Sequence, residues 1–188
     1  QSYSTRHDLC DVFLQRNNNR TQAQQRAGWP KLIENARANG ITEGGISLAS
    51  NAFGSNWTGE FTLDQRMRAL DEQYQLWTAA GMKVTRVGLA DAMSWNMPHR
   101  VEQTLVAIKE RWPSITDFNL HLHNGRGTAL ASVYAALRVL EGSDTLRVQS
   151  SIGGMAGCPY CGNGRAAMMI ATEDLMHMLD EMGISTGV

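Results

Sequence analysis

Long segments with apolar residues three and four apart alternate along the chain with short runs rich in Val, Ile and Leu. This texture predicts repeated β/α units. Residues 21–39, TQAQQRAGWPKLIENARAN, read as one helix, opened by Thr21 and stopped by Gly40, with Pro30 imposing a kink or a late start. ITEGGISLASNAF (41–53) reads as a strand running into a loop. A helix from about Thr62 to Ala80 places Leu63, Met67, Leu70, Tyr74 and Trp77 on one side, and Gly81 ends it. KVTRVGLADAM (83–93) is the next strand. Pro98 suits the first turn of a helix that runs to about Arg111 with Val101, Leu105 and Ile108 on one face. DFNLHLHNGRG (117–127) reads as strand, TALASVYAALRVLEG (128–142) as helix and TLRVQSSIGG (145–154) as strand. ATEDLMHMLDEMG (171–183) is a final helix opened by Thr172 with acidic residues in its first turn.

The pattern amounts to four strands, each followed by a helix, with one helix in front. A small doubly wound sheet accommodates this order, but no Gly-x-Gly-x-x-Gly stands at the first strand-to-helix turn, so nothing supports a dinucleotide site. Asn51, Asp91, His121, His123 and the segment around Cys158 all fall at or just after the carboxyl ends of successive strands. Active sites of (β/α)8 barrels are built on that face, so the expectation is an α/β fold of TIM-barrel type. Four strands do not close such a barrel, so the chain reads as a single partial TIM-barrel domain over residues 1–188, with the other half absent or supplied by another chain. Two open sheet edges are a liability, which predicts poor solubility alone or a partner: a homo-oligomer or the missing amino-terminal half.

Composition narrows the partners. The 188 residues suit one domain, and a net charge of −1 gives no electrostatic reason to expect nucleic acid or anionic lipid. No run approaches the roughly 18 apolar residues of a membrane span. The start, QSYSTRHDLC, has neither a signal-peptide apolar stretch nor an Arg-rich presequence. Three cysteines suggest no disulfide framework and fit a reducing compartment, so a soluble cytoplasmic protein acting on a small molecule is expected.

The sharpest candidate chemistry is His121-Leu122-His123. Strand side chains alternate faces, so both imidazoles point the same way, about 7 Å apart along the strand. That arrangement suits two ligands of one divalent metal; two histidines hydrogen-bonded inside a barrel mouth are the alternative. Asp91 reads either as a loop carboxylate capping Ser94 or a backbone N–H, or as an acid-base group. Cys158-Pro159-Tyr160-Cys161 looks like a redox dithiol, half a zinc site, an inert loop or a loop that delivers one thiol to a site. A redox dithiol of thioredoxin type belongs near the start of its domain at a helix N-terminus, whereas this one lies near the chain's end among glycines. A zinc site needs further thiolates or imidazoles, and only Cys10 remains as a third cysteine.

Assembled, these residues resemble the metal-dependent aldolase-type lyases and synthases of the DRE-TIM group, most closely the 3-hydroxy-3-methylglutaryl-CoA lyase family. The resemblance rests on GLADAM, HLHNGRGTAL and GGMAGCPYCGNGRAAMMIATEDLMHMLDEMGISTGV in the family's order, together with NAFGSNWTGEFT, and it covers nearly the whole chain as the carboxyl-terminal part of a longer barrel. It implies that His121, His123 and Asn163 are metal ligands for Mg2+ or Mn2+. Cys158 and Asp91 would be catalytic, Cys158 by assisting proton transfer, and Asn51 and Arg126 are the candidate substrate contacts. The implied reaction is retro-Claisen cleavage of a 3-hydroxyacyl-CoA to acetyl-CoA and a keto acid.

Three departures stand out. The family's Asp-Arg-Glu run has no counterpart in these residues, so weak metal binding and no turnover by this chain alone are expected. Trp95 is bulky where the family has a small loop, and Arg126 adds a positive charge beside the histidines. A Claisen-type synthase related to isopropylmalate or citramalate synthases is the rival enzyme. An inactive barrel fragment acting through protein contacts is the rival from another class.

Overall fold

The computed structural model describes residues 3–155 and 169–187. Its elements run α1 (Asp11–Asn18), α2 (Gln22–Ala27), α3 (Trp29–Ala38), β1 (Glu43–Leu48), β2 (Gly54–Ser55), β3 (Gly59–Glu60), α4 (Leu63–Ala79), β4 (Lys83–Asp91), α5 (Pro98–Arg111), β5 (Asp117–Leu122), α6 (Ala129–Val139), β6 (Thr145–Val148) and α7 (Thr172–Glu181). The main sheet has the order β1-β4-β5-β6, and each neighbouring pair is parallel. The fold is therefore α/β with a parallel sheet, and its strands follow one another in sequence order across the sheet.

Several boundaries come from local chemistry visible in the sequence. Thr62 and Gln65 form a reciprocal capping box at the start of α4, and Gly81, at φ 74°, lies just past its end. Pro98 opens α5, where a missing N–H costs no hydrogen bond. The last helix differs from expectation by one position: Ala171 is its N-cap residue, and Thr172 instead shares a hydroxyl hydrogen bond of 2.9 Å with Ser150.

The single leading helix expected over 21–39 is corrected to two helices, with a third before them. α2 is opened by a capping box of Thr21 and Gln24 and ends at Ala27. Pro30 cannot sit in a helix interior without clashing with the preceding turn, so α3 restarts at Trp29 with Pro30 in its first turn. α1 is capped by Cys10, whose Sγ accepts from the Phe13 N–H at 3.4 Å.

Residues 3–7 add a further extended segment, parallel to β1 on its free edge. Its backbone exchanges hydrogen bonds with Gly45, Ser47 and Ala49 at 2.9–3.0 Å. A short antiparallel β2–β3 hairpin intervenes between β1 and α4.

One face of the sheet packs against helices. Ile46, Leu48, Val84, Val87, Leu89, Phe118, Leu120 and Leu122 are buried there with Leu70 and Trp77 of α4, Leu105 and Ile108 of α5, and Val133 and Ala136 of α6. Along β4 the pairing shifts, Gly44 facing Val84 but Gly45 facing Arg86. The extra residue, Thr85, resets the alternation so that Val84 and Val87 both reach the core. Gly44 makes room for the helix: a Cβ there would lie 2.5 Å from the Trp77 ring.

The opposite face is polar. It forms an open groove of about 620 Å3 lined by Arg86, Asn119, His121, Arg147 and Gln149, among others. Asp117 of β5 pairs with Arg147 of β6 across this face at 3.0 Å.

Candidate active site at the strand ends

β5 presents Phe118, Leu120 and Leu122 to the core, so His121 faces the groove by alternation, and His123 follows it on the same side. The two imidazole centroids are 5.3 Å apart, with ring planes at 51°. His121 Nδ1 lies 2.6 Å from Gln149 Oε1. An amide oxygen accepts, so in this contact the imidazole proton is on Nδ1, and the neutral ring keeps its lone pair on Nε2. Metal-binding histidines characteristically have such an outer partner, which fixes the tautomer and the ring orientation.

His123 is 3% exposed, and its backbone is held from two directions. Its N–H donates to Asp91 O at 3.1 Å, and its carbonyl accepts from Asn96 Nδ2 at 2.9 Å. The ends of β4 and β5 are thereby locked together.

Asp91, at the end of β4, is fully buried. Its Oδ2 accepts from both the backbone N–H and the Nδ2 of Asn96, each at 2.6 Å. Oδ1 has no hydrogen-bond partner among the described residues. Burial is the largest influence on this carboxyl and raises its pKa above the ordinary value, while the donors of Asn96 and neighbouring backbone act in the opposite direction.

Asn51 stands across an antiparallel bridge from Asp91, flanked by Ala52 N–H to Ala90 O at 2.8 Å and Ala92 N–H to Ser50 O at 2.7 Å. It is 1% exposed, and neither amide atom of its side chain has a partner among the described residues. Buried polar groups with unused capacity are uncommon in proteins. Asn51 and Asp91 both carry such capacity, and Asp91 is bonded through its backbone to the second histidine.

Asn96, which sequence reasoning missed, organises these groups. Besides its contacts to Asp91 and His123, its Oδ1 accepts from Ser132 Oγ at 2.9 Å and its backbone carbonyl accepts from Thr128 Oγ1 at 2.8 Å. It joins the ends of β4 and β5 to the start of α6. An Asn five residues after a strand-end Asp, and just before a helix-opening Met97-Pro98, was the signal available in the sequence. Gln149, the partner of His121, was the second omission.

Arg126 lies in the loop after β5 and is exposed, with its guanidinium carbon 4.6 Å from the Trp95 ring centroid. Cys158 and Asn163 lie outside the described residues, so the thiol and the third ligand expected from the sequence are not placed. Among the described residues no group of three or more His, Cys, Asp or Glu side chains converges on one point. The histidine pair offers two nitrogen ligands, and the oxygens of Asp91 and Asn51 without partners among the described residues, on the adjoining strand ends, are of the hard type that divalent metals such as Mg2+ and Mn2+ accept. In donor chemistry the residues present fit such an ion.

Comparison with known proteins places the chain in a family. A family model described as HMGL-like matches residues 5–188. The chain belongs to the HMGL-like family. Its relatives include the (R)-citramalyl-CoA lyase of Chloroflexus aurantiacus, 32% identical over 178 residues, which cover 95% of this chain and 51% of that one. The hydroxymethylglutaryl-CoA lyase of Bacillus subtilis is 31% identical over 141 residues, 74% of this chain and 42% of that one. The crystal structure of an HMG-CoA lyase from B. subtilis matches with a TM-score of 0.74 and 26% identity, covering 98% of this chain and 57% of that chain. The chain thus spans about half the length of the HMGL-like relatives it matches. No helix among the described residues is long and apolar enough to cross a membrane.

Proposed function

We propose that this chain is the carboxyl-terminal half of a (β/α)8 barrel and the metal-binding part of a carbon-carbon lyase acting on a 3-hydroxyacyl-CoA. The observation that carries the reading is the His121/His123 pair, on one side of β5, with the outer histidine oriented by Gln149. Membership of a family whose named relatives are acyl-CoA lyases supports it. Substrates resembling 3-hydroxy-3-methylglutaryl-CoA or citramalyl-CoA fit the reading.

In this account His121 and His123 hold a divalent metal, Mg2+ or Mn2+, with Asn163 as a further ligand. When bound, the metal supplies Lewis-acid polarisation of the substrate's hydroxyl and carbonyl oxygens. Asp91 offers Oδ1, which has no partner among the described residues, to the 3-hydroxyl and accepts its proton; a carboxylate with a raised pKa is the better base for this step. The C3–O bond becomes a carbonyl, the C2–C3 bond breaks, and its electron pair passes to C2 of the departing acetyl-CoA enolate. Cys158 returns a proton to that carbon. Asn51 contributes its amide, which has no partner among the described residues, to substrate oxygens, and burial of the strand ends keeps bulk water from competing for these groups. A cytoplasmic location is supported by relatives named as cytoplasmic 3-hydroxy-3-methylglutaryl-CoA lyases, and in this reading the barrel is completed by an amino-terminal half or by another copy.

The test is product analysis on the full-length protein with Mn2+. Acetyl-CoA released from a 3-hydroxyacyl-CoA, and lost when His121 is replaced by Ala, supports the lyase. Net condensation of acetyl-CoA with a keto acid, without cleavage, would instead make it a synthase.

A further inference from the structure

We infer that Arg126, held over Trp95, is the specificity-determining contact for a carboxylate on the acyl group, at the end remote from the thioester. This deepens the lyase reading and rests on it for the identity of the ligand. The two residues come from the loops that follow β4 and β5, the same strand ends that carry Asp91 and the histidine pair.

The platform is built before any ligand arrives. Trp95 Nε1 donates to Asn56 Oδ1 at 3.0 Å, and Arg100 Nη1 donates to Trp95 O at 3.2 Å. The indole lies so close to Gly54 that a Cβ there would fall 2.6 Å from the ring, so only glycine allows this seat. The loop carrying Arg126 is pinned as well. Gly125 N–H donates to the buried Ser94 Oγ at 2.8 Å, Asn124 Oδ1 accepts from the Ala129 N–H at 3.0 Å, and Gly127 takes φ 71°.

Stacking on an aromatic face leaves the in-plane N–H groups of a guanidinium free, and their fork matches a carboxylate. No acidic side chain among the described residues forms an ion pair with Arg126, whereas nearby Arg100 is already taken by Glu60. An exposed, oriented cation with no ion-pair partner among the described residues suits an oxyanion.

Carboxylate and phosphate share that chemistry, and position separates them. Arg126 follows His123 by three residues, in the loop that leaves the same strand end, and in the lyase reading this assigns it to the reacting end of the substrate. The phosphates of CoA lie a pantetheine arm away from the thioester. A neutral acyl group would leave the guanidinium without a partner, which predicts discrimination in favour of dicarboxylic acyl chains.

The experiment is calorimetric binding to the full-length protein in EDTA, where no metal-dependent turnover occurs. The probes are 3-hydroxy-3-methylglutaryl-CoA, its terminal methyl ester, and the dephospho form of each. Wild type is expected to prefer the acid over the ester by roughly 10- to 100-fold, the range of a charge-assisted hydrogen-bond pair. In Arg126→Ala that ratio falls toward one, in Arg126→Lys it is partly kept, and unchanged thermal melting shows that the fold survives. A ratio that persists in Arg126→Ala, or is absent from wild type, overturns the inference. So does a variant that erases only the preference for CoA over dephospho-CoA, which would assign the site to phosphate. Adding Mn2+ afterwards and finding no cleavage would count against the lyase reading alone.

Discussion

Asn96 grips Asp91 twice: one carboxylate oxygen of Asp91 accepts from both the backbone and the side-chain N–H groups of Asn96, at 2.6 Å each. The same side-chain nitrogen reaches the carbonyl of His123. Asn96→Ala therefore strips several buried groups of partners at once and should cost about 2–4 kcal/mol of stability, measured by urea unfolding. Asn96→Asp keeps the acceptor for Ser132 but sets a carboxylate against Asp91, so it should also destabilise at neutral pH and recover as the pH falls. A loss below about 0.5 kcal/mol for both variants would mean that Asn96 does not hold the strand ends.

Gln149 is expected to matter for the metal without touching it. Its Oε1 fixes the proton of His121 on Nδ1, so Gln149→Ala frees the ring to turn and to change tautomer. Divalent-metal affinity should fall about 10- to 100-fold, the usual cost of losing such an outer partner. Gln149→Glu, which still accepts from Nδ1, should retain most of the affinity in the same titration.

The close approach of Trp77 to Gly44 makes that glycine irreplaceable for steric reasons. Gly44→Ala would drive a methyl into a fully buried indole and should lower stability by about 3 kcal/mol. Gly142→Ala meets nothing within 4 Å and should change stability by less than about 0.5 kcal/mol. Thermal melts of the two variants give the comparison directly.

His7 should make the fold sensitive to mild acid. Burial, and next the charge of Arg26, lower its pKa from 6.5 to about 4, and Arg26 Nη2 sits 3.3 Å from its Nε2. The unfolded chain binds this proton as the pH drops through 6.5, while the native state resists until about 4. The corresponding stability is present above 6.5 and declines between those values, by about 3 kcal/mol in total. Asp8 and Asp91, whose pKa values burial raises, act with the opposite sign above their ordinary value of 3.8. The difference between wild type and His7→Gln across pH 4–7 isolates the histidine; parallel stability curves would refute it.

What the sequence made legible was mostly periodic or local. The parallel β/α order, the helix starts at Thr62 and Pro98, the end at Gly81 and the shared face of the two histidines each follow from a few neighbouring residues. The split of the leading helix was signalled by Pro30, but the choice between a kink and a restart depended on how Trp29 packs beneath Arg6, whose carbonyl accepts from its Nε1 at 2.9 Å. Residues 3–7 carry no apolar alternation and become extended because the free edge of β1 offers them partners.

The hub at Asn96 was hidden for the same reason. Its partners come from β4, the residue after β5, and α6 and its N-cap, and no sequence window contains them all. Trp95 looked like a mere obstruction until the glycine beneath it and the arginine above it were seen together.

The claim on which the functional account depends is that His121 and His123 together bind a divalent metal. Titration of Mn2+ into the full-length protein, followed by the loss of the free-ion electron paramagnetic resonance signal, tests it most directly. One bound Mn2+ per chain, abolished in the His121→Ala/His123→Ala double variant while folding is retained, is the predicted result. Superimposable titrations of wild type and the double variant would contradict it.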